Sequence, residues 1–310
     1  MAILSLVPHM PAMTLPPQPW PTGKCEQLEP LVRRVLAANG STFTYTGTQT
    51  YLVGTDDELV VIDPGPADGD HIQALLGAIG EGQVLAIACT HTHRDHSPAA
   101  APLAEATGAP IIGCAALAIE SDAPRVDAPF DKLYAPDLVL ADGERICATG
   151  WTLTAIATPG HTSNHLCYAL DVEGSDEESG ALFTGDHVMG WSTSVVVPPD
   201  GDMADYMASL MKLYEREDRI YYPAHGPAVE NPRQLVRGMF GHRKQRERQI
   251  IRLLEEEARP IAALVPVMYK GVDEKLWPAA SQSVHAHLIE LERRGEVARS
   301  GESWSPIAGR

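Results

Sequence analysis

An α/β architecture with a helix-rich C-terminal appendage is what this sequence predicts. Short β-rich runs bounded by turn residues fill two stretches of the chain, amphipathic helical segments separate them, and from residue 232 onward the pattern changes to helix, helix and hairpin. With 310 residues and 44% hydrophobic content, there is material for one large core plus an appendage.

Residues 1–22 carry Pro8, Pro11, Pro16, Pro17, Pro19 and Pro21 and read as an irregular, proline-rich arm. Runs at 31–36, 50–53 and 59–62, separated by Asn39-Gly40, Gly47 and Asp56-Asp57, read as adjacent antiparallel strands. Ile72, Leu75, Leu76 and Ile79 then recur at helical spacing before Gly80 and Gly82, the signature of an amphipathic helix. The apolar run 84–89 reads as a strand covered on both faces, 98–107 as a helix, 110–113 as a short strand and 121–136 as a loop. A second β-rich half repeats this plan, with strands expected at 138–140, 145–148, 151–157, 165–170 and 181–184 and a solvated acidic tip at 171–180. A helix at 203–214 and a strand at 220–222 follow. The stretch 232–257 reads as a helix weakened by Gly238 and Gly241, and a domain boundary is expected there. Beyond it lie a helix at 261–269, a second with Val284, Leu288 and Leu291 on one face, and a β-like end at 297–304, together winged-helix-like. The expected organisation is an arm (1–22), a principal domain (23–240) and a winged-helix-like C-terminal domain (241–310).

Composition narrows the function classes. A formal charge of −17 argues against a surface built throughout for nucleic acid. The cysteines Cys25, Cys89, Cys114, Cys147 and Cys167 are odd in number and contain no CxxC pair, which argues against a disulfide framework and for a cytoplasmic setting. No signal peptide is expected, because the N-terminus lacks a basic region and prolines break its apolar run. No run approaches the length of a membrane span.

The chemistry concentrates at Thr90-His91-Thr92-His93-Arg94-Asp95-His96, where three imidazoles and a carboxylate fall within six residues directly after an apolar strand. Neutral imidazole and carboxylate are ligands that a divalent zinc ion takes, and iron or manganese suits the same mixed set. The spacing suits two ions side by side. Further pieces sit at expected strand ends or in loops: Asp63, Thr158-Pro159-Gly160-His161, Gly185-Asp186-His187 and Ala224-His225-Gly226.

In this order the pieces resemble the metallo-β-lactamase superfamily, whose pattern is HxHxDH, then a histidine after a glycine, an aspartate and a final histidine. The resemblance implies a four-layer αββα sandwich with the site at one edge of two sheets. It further implies that His91, His93 and His161 hold one ion, that Asp95, His96 and His225 hold the other, and that Asp186 bridges them. Two zinc ions about 3.5–4 Å apart can share a water and lower its pKa toward neutrality. The implied enzyme is a binuclear hydrolase using a metal-bound hydroxide, with Asp95 orienting it and accepting its proton. Asp63, Thr162 and His165 are candidates for fixing imidazole tautomers. His187 sits beside Asp186 without being required by the pattern.

Within the superfamily, Gly185-Asp186 and the absence of a cysteine at a ligand position argue against a true β-lactamase. The segments TPGHTSNHLCYAL and FTGDH are similar to glyoxalase II, without a match to its C-terminal part. From about residue 40 to 300 the chain is most similar to the beta-lactamase-like protein 2 family, through FTYTGTQTYLVG, GDHVMG, YPAHGP and HRKQRERQI. That resemblance supports two substrate classes: a small ester, thioester or lactone, and single-stranded RNA cut by an endoribonuclease. A non-catalytic zinc module is disfavoured by the lack of cysteine ligands. Arg233, Arg237, Arg243, Lys244, Arg246, Arg248 and Arg252 form the one basic run that phosphates could follow, although a solvated face paired with the carboxylates at 255–257 explains it too. The small substrate is the preferred reading, and the sequence leaves oligomeric state open.

Overall fold

The structure, a computed structural model, describes residues 20–117, 129–175 and 179–307. Most of the proline-rich arm, the part of the 121–136 loop up to 128, and 176–178 of the acidic tip lie outside the described residues.

Seven strands form the first sheet in the order of the sequence: β1 (Cys25–Glu29), β2 (Val32–Leu36), β3 (Gln49–Gly54), β4 (Glu58–Ile62), β5 (Gln83–Cys89), β6 (Ile111–Gly113) and β7 (Leu138–Val139). The first four are antiparallel; β4 to β7 are parallel. Parallel pairing needs crossovers, and α1 (Gly69–Ile79) and α2 (Ala100–Thr107) supply the first two. Asp68 caps α1 by accepting from the His71 N–H, and Gly80 ends it at φ 65°.

The second sheet contains β8 (Arg145–Ala148), β9 (Trp151–Ala157), β10 (Leu166–Val172), β11 (Ala181–Gly185) and β12 (Ile220–Pro223), ordered β12-β11-β10-β9-β8. Only β11 and β12 run parallel, joined through α3 (Met203–Tyr214). Side-chain alternation decides what each face covers. Leu166, Tyr168 and Leu170 of β10 pack with Tyr51, Val53 and Ile62 of the first sheet, whereas Cys167 and Ala169 pack with Tyr206, Leu210 and Leu213 of α3. Leu75 and Leu103, from α1 and α2, close the opposite side. The result is the expected four-layer αββα sandwich. Each fully buried leucine contributes about 1.5–3 kcal/mol of burial.

The C-terminal unit consists of α4 (Pro232–Glu256), β13 (Arg259–Pro260), α5 (Ile261–Met268), α6 (Trp277–Arg293) and the hairpin β14 (Val297–Ser300) and β15 (Ser303–Pro306). The helix α4 runs unbroken through 240 and 241, the position at which the sequence reading divides the chain. Its Val236 and Met239 belong to the core beneath α3, and its Ile250, Leu253 and Leu254 belong to the core of the C-terminal unit. Two strands were not anticipated. Both β1 (CEQLE, exposed along its first three positions) and the two-residue β13 lack the apolar alternation that marks a strand.

Glu29 of β1 ties the sheets together at this edge. Its two oxygens accept from Arg219 Nη1 and Nη2 at 2.9 and 2.7 Å, and Tyr222 Oη, on β12, donates to it at 2.7 Å. Burial disfavours the charge on Glu29, but these donors outweigh it and leave the carboxyl below its ordinary pKa. The stabilisation is therefore complete above the unfolded carboxylate pKa and is lost as pH falls through the lowered folded value. Glu29→Gln should cost about 1 kcal/mol near neutrality, because Arg219 is partly exposed. Urea melts of both proteins at pH 7 and pH 3 check this: the gap should close in acid, and a constant gap would rule out the charge.

Candidate metal centre

Five strand ends converge on one edge of the sandwich. After β4 comes Asp63, after β5 the 90–96 loop, after β9 His161, after β11 Asp186 and after β12 His225. Backbone bonds hold these segments in register: Gly65 N donates to His96 O at 2.8 Å, Leu166 N to Thr90 O at 2.8 Å, and Ala224 N to Gly185 O at 3.0 Å. Two glycines allow the close approach. A Cβ on Gly185, at φ 48°, would lie 2.7 Å from both His165 Nε2 and Thr90 Oγ1, and one on Gly160, at φ 135°, would lie 2.3 Å from Tyr206 Cα.

The side chains gather in two groups whose donor atoms lie within 4.8 Å of one another: His91, His93, His161 and Asp186, and then Asp95, His96 and His225. All are buried except Asp95, which is half-buried. In the first group His91 Nε2 and His161 Nε2 face His93 Nδ1 at 3.0 and 3.1 Å. Asp186 stands between the groups, with Oδ2 3.7 Å from His161 Nε2 and 3.6 Å from His96 Nε2, and Oδ1 3.3 Å from His225 Nε2. Asp95 Oδ2 is 3.2 Å from His225 Nε2 and 3.5 Å from His96 Nε2.

Outer hydrogen bonds determine which ring nitrogen each histidine turns inward. His161 Nδ1 donates to Val195 O at 2.6 Å, His225 Nδ1 to Gly47 O at 3.2 Å, and His96 Nδ1 to Asp63 Oδ2 at 3.0 Å. Thr90 Oγ1 gives its hydrogen to Asp63 Oδ2 at 2.8 Å, so at 2.9 Å from His91 Nδ1 it can only accept. His91, His96, His161 and His225 therefore all direct Nε2 at the centre. Asp63 completes its set by accepting from Thr90 N at 2.7 Å. His165 bonds Thr158 Oγ1 through Nδ1 and accepts from Asp186 N through Nε2, at 2.9 and 3.2 Å, so it steadies the backbone of Asp186. Among the described residues Thr162 Oγ1 and both ring nitrogens of His187 are buried without hydrogen bonds, and the His187 ring packs on Tyr206 with centroids 4.8 Å apart.

The buried carboxylates and imidazoles perturb one another strongly. Burial opposes ionisation of Asp95 and Asp186, yet His96 and His225 hold both carboxyls well below their ordinary range. Burial likewise opposes charge on His225 and His96. Asp186 and Asp95 nonetheless push His225 up to about 10, and Asp95, Asp186 and Asp63 hold His96 well above its ordinary value. His91 shifts the other way, neutralised by burial and by its imidazole neighbours His96 and His93. Among the described residues His96 Nε2 and Asp95 Oδ1 are buried with no hydrogen-bond partner, and the donors are all imidazole and carboxylate. Such a set fits divalent zinc, iron or manganese.

The family profile described as the metallo-beta-lactamase superfamily matches residues 44–225, a span that contains all of these donors. The chain belongs to this superfamily. It is thus a metal-dependent hydrolase that works with divalent ions. A second profile, the beta-lactamase associated winged helix domain, matches residues 261–304. A beta-lactamase-like protein 2 homolog of Drosophila melanogaster is 32% identical over 280 residues, covering 86% of this chain and 89% of the relative. An atrochrysone carboxyl ACP thioesterase of Aspergillus fumigatus is 32% identical over 237 residues, covering 75% and 67%. A beta-lactamase domain protein from Burkholderia ambifaria shares the fold with a TM-score of 0.74 at 19% identity, over 92% of this chain and 94% of that one.

The hydrolase's basic run is a solvated face only in part: Arg233, Arg237, Arg248 and Arg252 are exposed, whereas Arg243 and Arg246 turn inward. Arg243 is buried, donates to Ser194 O and stacks over Tyr206; Arg246 donates to Met268 O at 2.7 Å and stacks over Tyr269. Lys244 pairs with Glu247, while the carboxylates of Glu256 and Glu257 pair with Arg259, so among the described residues the expected pairing of the run with 255–257 is not observed. Sequence reasoning also missed Thr90, Gly47 and Val195 as imidazole partners. Thr90 adjoins the cluster and could have been noticed. Backbone carbonyls such as those of Gly47 and Val195 leave no mark in a sequence.

Asp63 stands directly behind His96 of the second donor group and behind His91 of the first only through Thr90. Asp63→Asn should weaken metal binding at Asp95, His96 and His225 by about 10–100-fold, and binding at the first group less, in a competitive chelator titration. Two unaltered steps would deny Asp63 this part.

Proposed function

We propose that the chain is a two-metal hydrolase of small thioesters, with zinc as its resident ion. The observation that carries the reading is the position of Asp186, within 3.3–3.7 Å of donor atoms in both groups. A carboxylate there suits two cations held side by side, with His91, His93 and His161 on one, Asp95, His96 and His225 on the other, and Asp186 common to both. Such ions would supply Lewis acidity and bring the pKa of a water toward neutrality.

The chain's own groups do the rest. Among the described residues Asp95 Oδ1 has no hydrogen-bond partner, so it is placed to orient the attacking water and take its proton. Four imidazoles are fixed through Nδ1 and cannot swing away as charge develops. In the net reaction water is consumed, the C–S bond breaks, and a carboxylic acid and a thiol leave. Thioesters are preferred among ester, thioester and lactone because of the relatives named as thioesterases. Single-stranded RNA is the alternative substrate; against it, Arg243 and Arg246 are engaged inside the protein rather than aligned along a strand. A cytoplasmic setting belongs to the same reading, from the odd number and scatter of the five cysteines, of which Cys25 and Cys147 are exposed.

A panel with zinc-loaded protein tests the reading. Thiol release from an acyl thioester, corrected for the two exposed cysteines, should exceed turnover of a lactone, a β-lactam and single-stranded RNA. Asp95→Asn should lower kcat by about 10²–10⁴-fold with one ion still bound. Efficient RNA cleavage without thioester turnover would overturn the proposal.

A further inference from the structure

The outer face of α4 carries a strip of cations on a chain whose formal charge is −17. Arg233, Arg237, Lys244, Arg248 and Arg252 recur at intervals of four and seven residues, which keeps them on one side of a helix. Val236, Met239, Arg243, Ile250 and Leu253 fill the opposite, buried side. The four arginines of the strip are exposed. Lys244 is offset by Glu247 at 3.2 Å, and Arg233 stacks over Tyr214 at 4.9 Å. Among the described residues the side chains of Arg237, Arg248 and Arg252 form neither an ion pair nor a hydrogen bond. From Arg233 to Arg252 the strip is about 28 Å long at 1.5 Å per residue.

Two features of this face work against the helix that bears it. Arg233 and Arg237, Lys244 and Arg248, and Arg248 and Arg252 are like charges four residues apart, an arrangement that destabilises a helix where opposite charges would support it. Gly238 and Gly241, both exposed, lie beside Arg237, and a Cβ at either would meet nothing within 4 Å. Alanine would fit there and favour the helix, so nothing in the described structure calls for glycine. An anionic partner lying close against the α4 backbone would offset the repulsion and use the space that the missing methyls leave.

The ends of the strip bound that partner. Glu230 stands exposed just before the first turn, and Glu255 stands exposed about five turns beyond Arg237 on the same face. A long polyanion would run onto these carboxylates, whereas an anionic segment of the strip's own length meets only cations. No aromatic ring on α4 is exposed for a base to stack on, since Phe240 is half-buried. A second α4 would bring like charge to like charge.

We propose that the outer face of α4 docks a protein partner that lays an acidic helix of about five turns along it. Carboxylates of the partner meet Arg233, Arg237, Arg248 and Arg252, and its backbone comes closest at Gly238 and Gly241. This goes beyond the thioesterase reading and does not depend on it.

The probe is a fluorescein-labelled, hydrocarbon-stapled helix of about 20 residues with glutamates on one face, and its control has the same composition with glutamates spread around the helix. Fluorescence anisotropy with the full chain at low salt should show the first bound about tenfold or more tightly than the control. Replacing the four exposed arginines by glutamine should weaken it by about 10–100-fold, as expected for four exposed ion pairs acting together. Gly238→Ala with Gly241→Ala should raise Tm and yet weaken the probe. Equal binding of the two peptides would make the strip a solvated face and overturn the proposal. A raised Tm with unchanged affinity would remove the close approach and overturn the helical partner. Oligouridylate bound more tightly than the probe, and lost in the quadruple variant, would assign the strip to RNA. Dimerisation of the unaltered chain that the same variant abolishes would assign it to a second copy, and in either case the proposal fails.

Discussion

The hydrogen bonds received by the Asp63 carboxylate are the constraint on which the centre depends. Asp63 sits at the end of β4 with φ 48°, a conformation that a non-glycine residue adopts only when its surroundings compensate. The compensation is visible: Thr90 N, Thr90 Oγ1 and His96 Nδ1 all donate to it. Through Thr90 it orients His91 in one donor group, and directly it orients His96 in the other. One buried carboxylate thus sets the tautomers of two histidines in different donor groups, and it joins β4 to the loop that leaves β5. The parallel pairing of these strands brings the two ends together in the first place.

Much of this was legible in the sequence, for identifiable reasons. Candidate ligands crowded at 91–96 stand out because a strand end supplies a rigid base and a short loop can turn alternate side chains toward different partners. The single histidines at 161 and 225 and the aspartate at 186 become meaningful only in their order, and the structure brings all three to the same edge. The αββα layering follows from alternation in strands such as β10, whose odd and even residues enter different cores. By contrast, β1 was illegible because an exposed edge strand with the sequence CEQLE has no buried face to impose a pattern. Arg243 and Arg246 were misjudged for a related reason. Charge in a helix suggests solvent, and only tertiary packing reveals that Ser194, Tyr206, Met268 and Tyr269 surround these two.

Polar contacts link the metal centre to the C-terminal unit without a single shared ligand. Asp186 is bonded through its backbone to Ser194 and His165; Ser194 in turn receives Arg243 from α4. The same segment, 189–195, carries the carbonyl that orients His161. The backbone of Asp186 and the ring of His161 are therefore held by one short stretch of chain, and changes there alter both.

The unbroken course of α4 has a consequence for how such a protein can be inherited. A winged-helix unit joined by a flexible linker could be gained, lost or exchanged by recombination with little harm to either part. Here a crossover at residues 240 and 241 would cut through a helix whose two halves are buried in different cores. Viable recombinants would need to carry α4 whole, so the helix and the unit that follows it should travel together as a single block of descent.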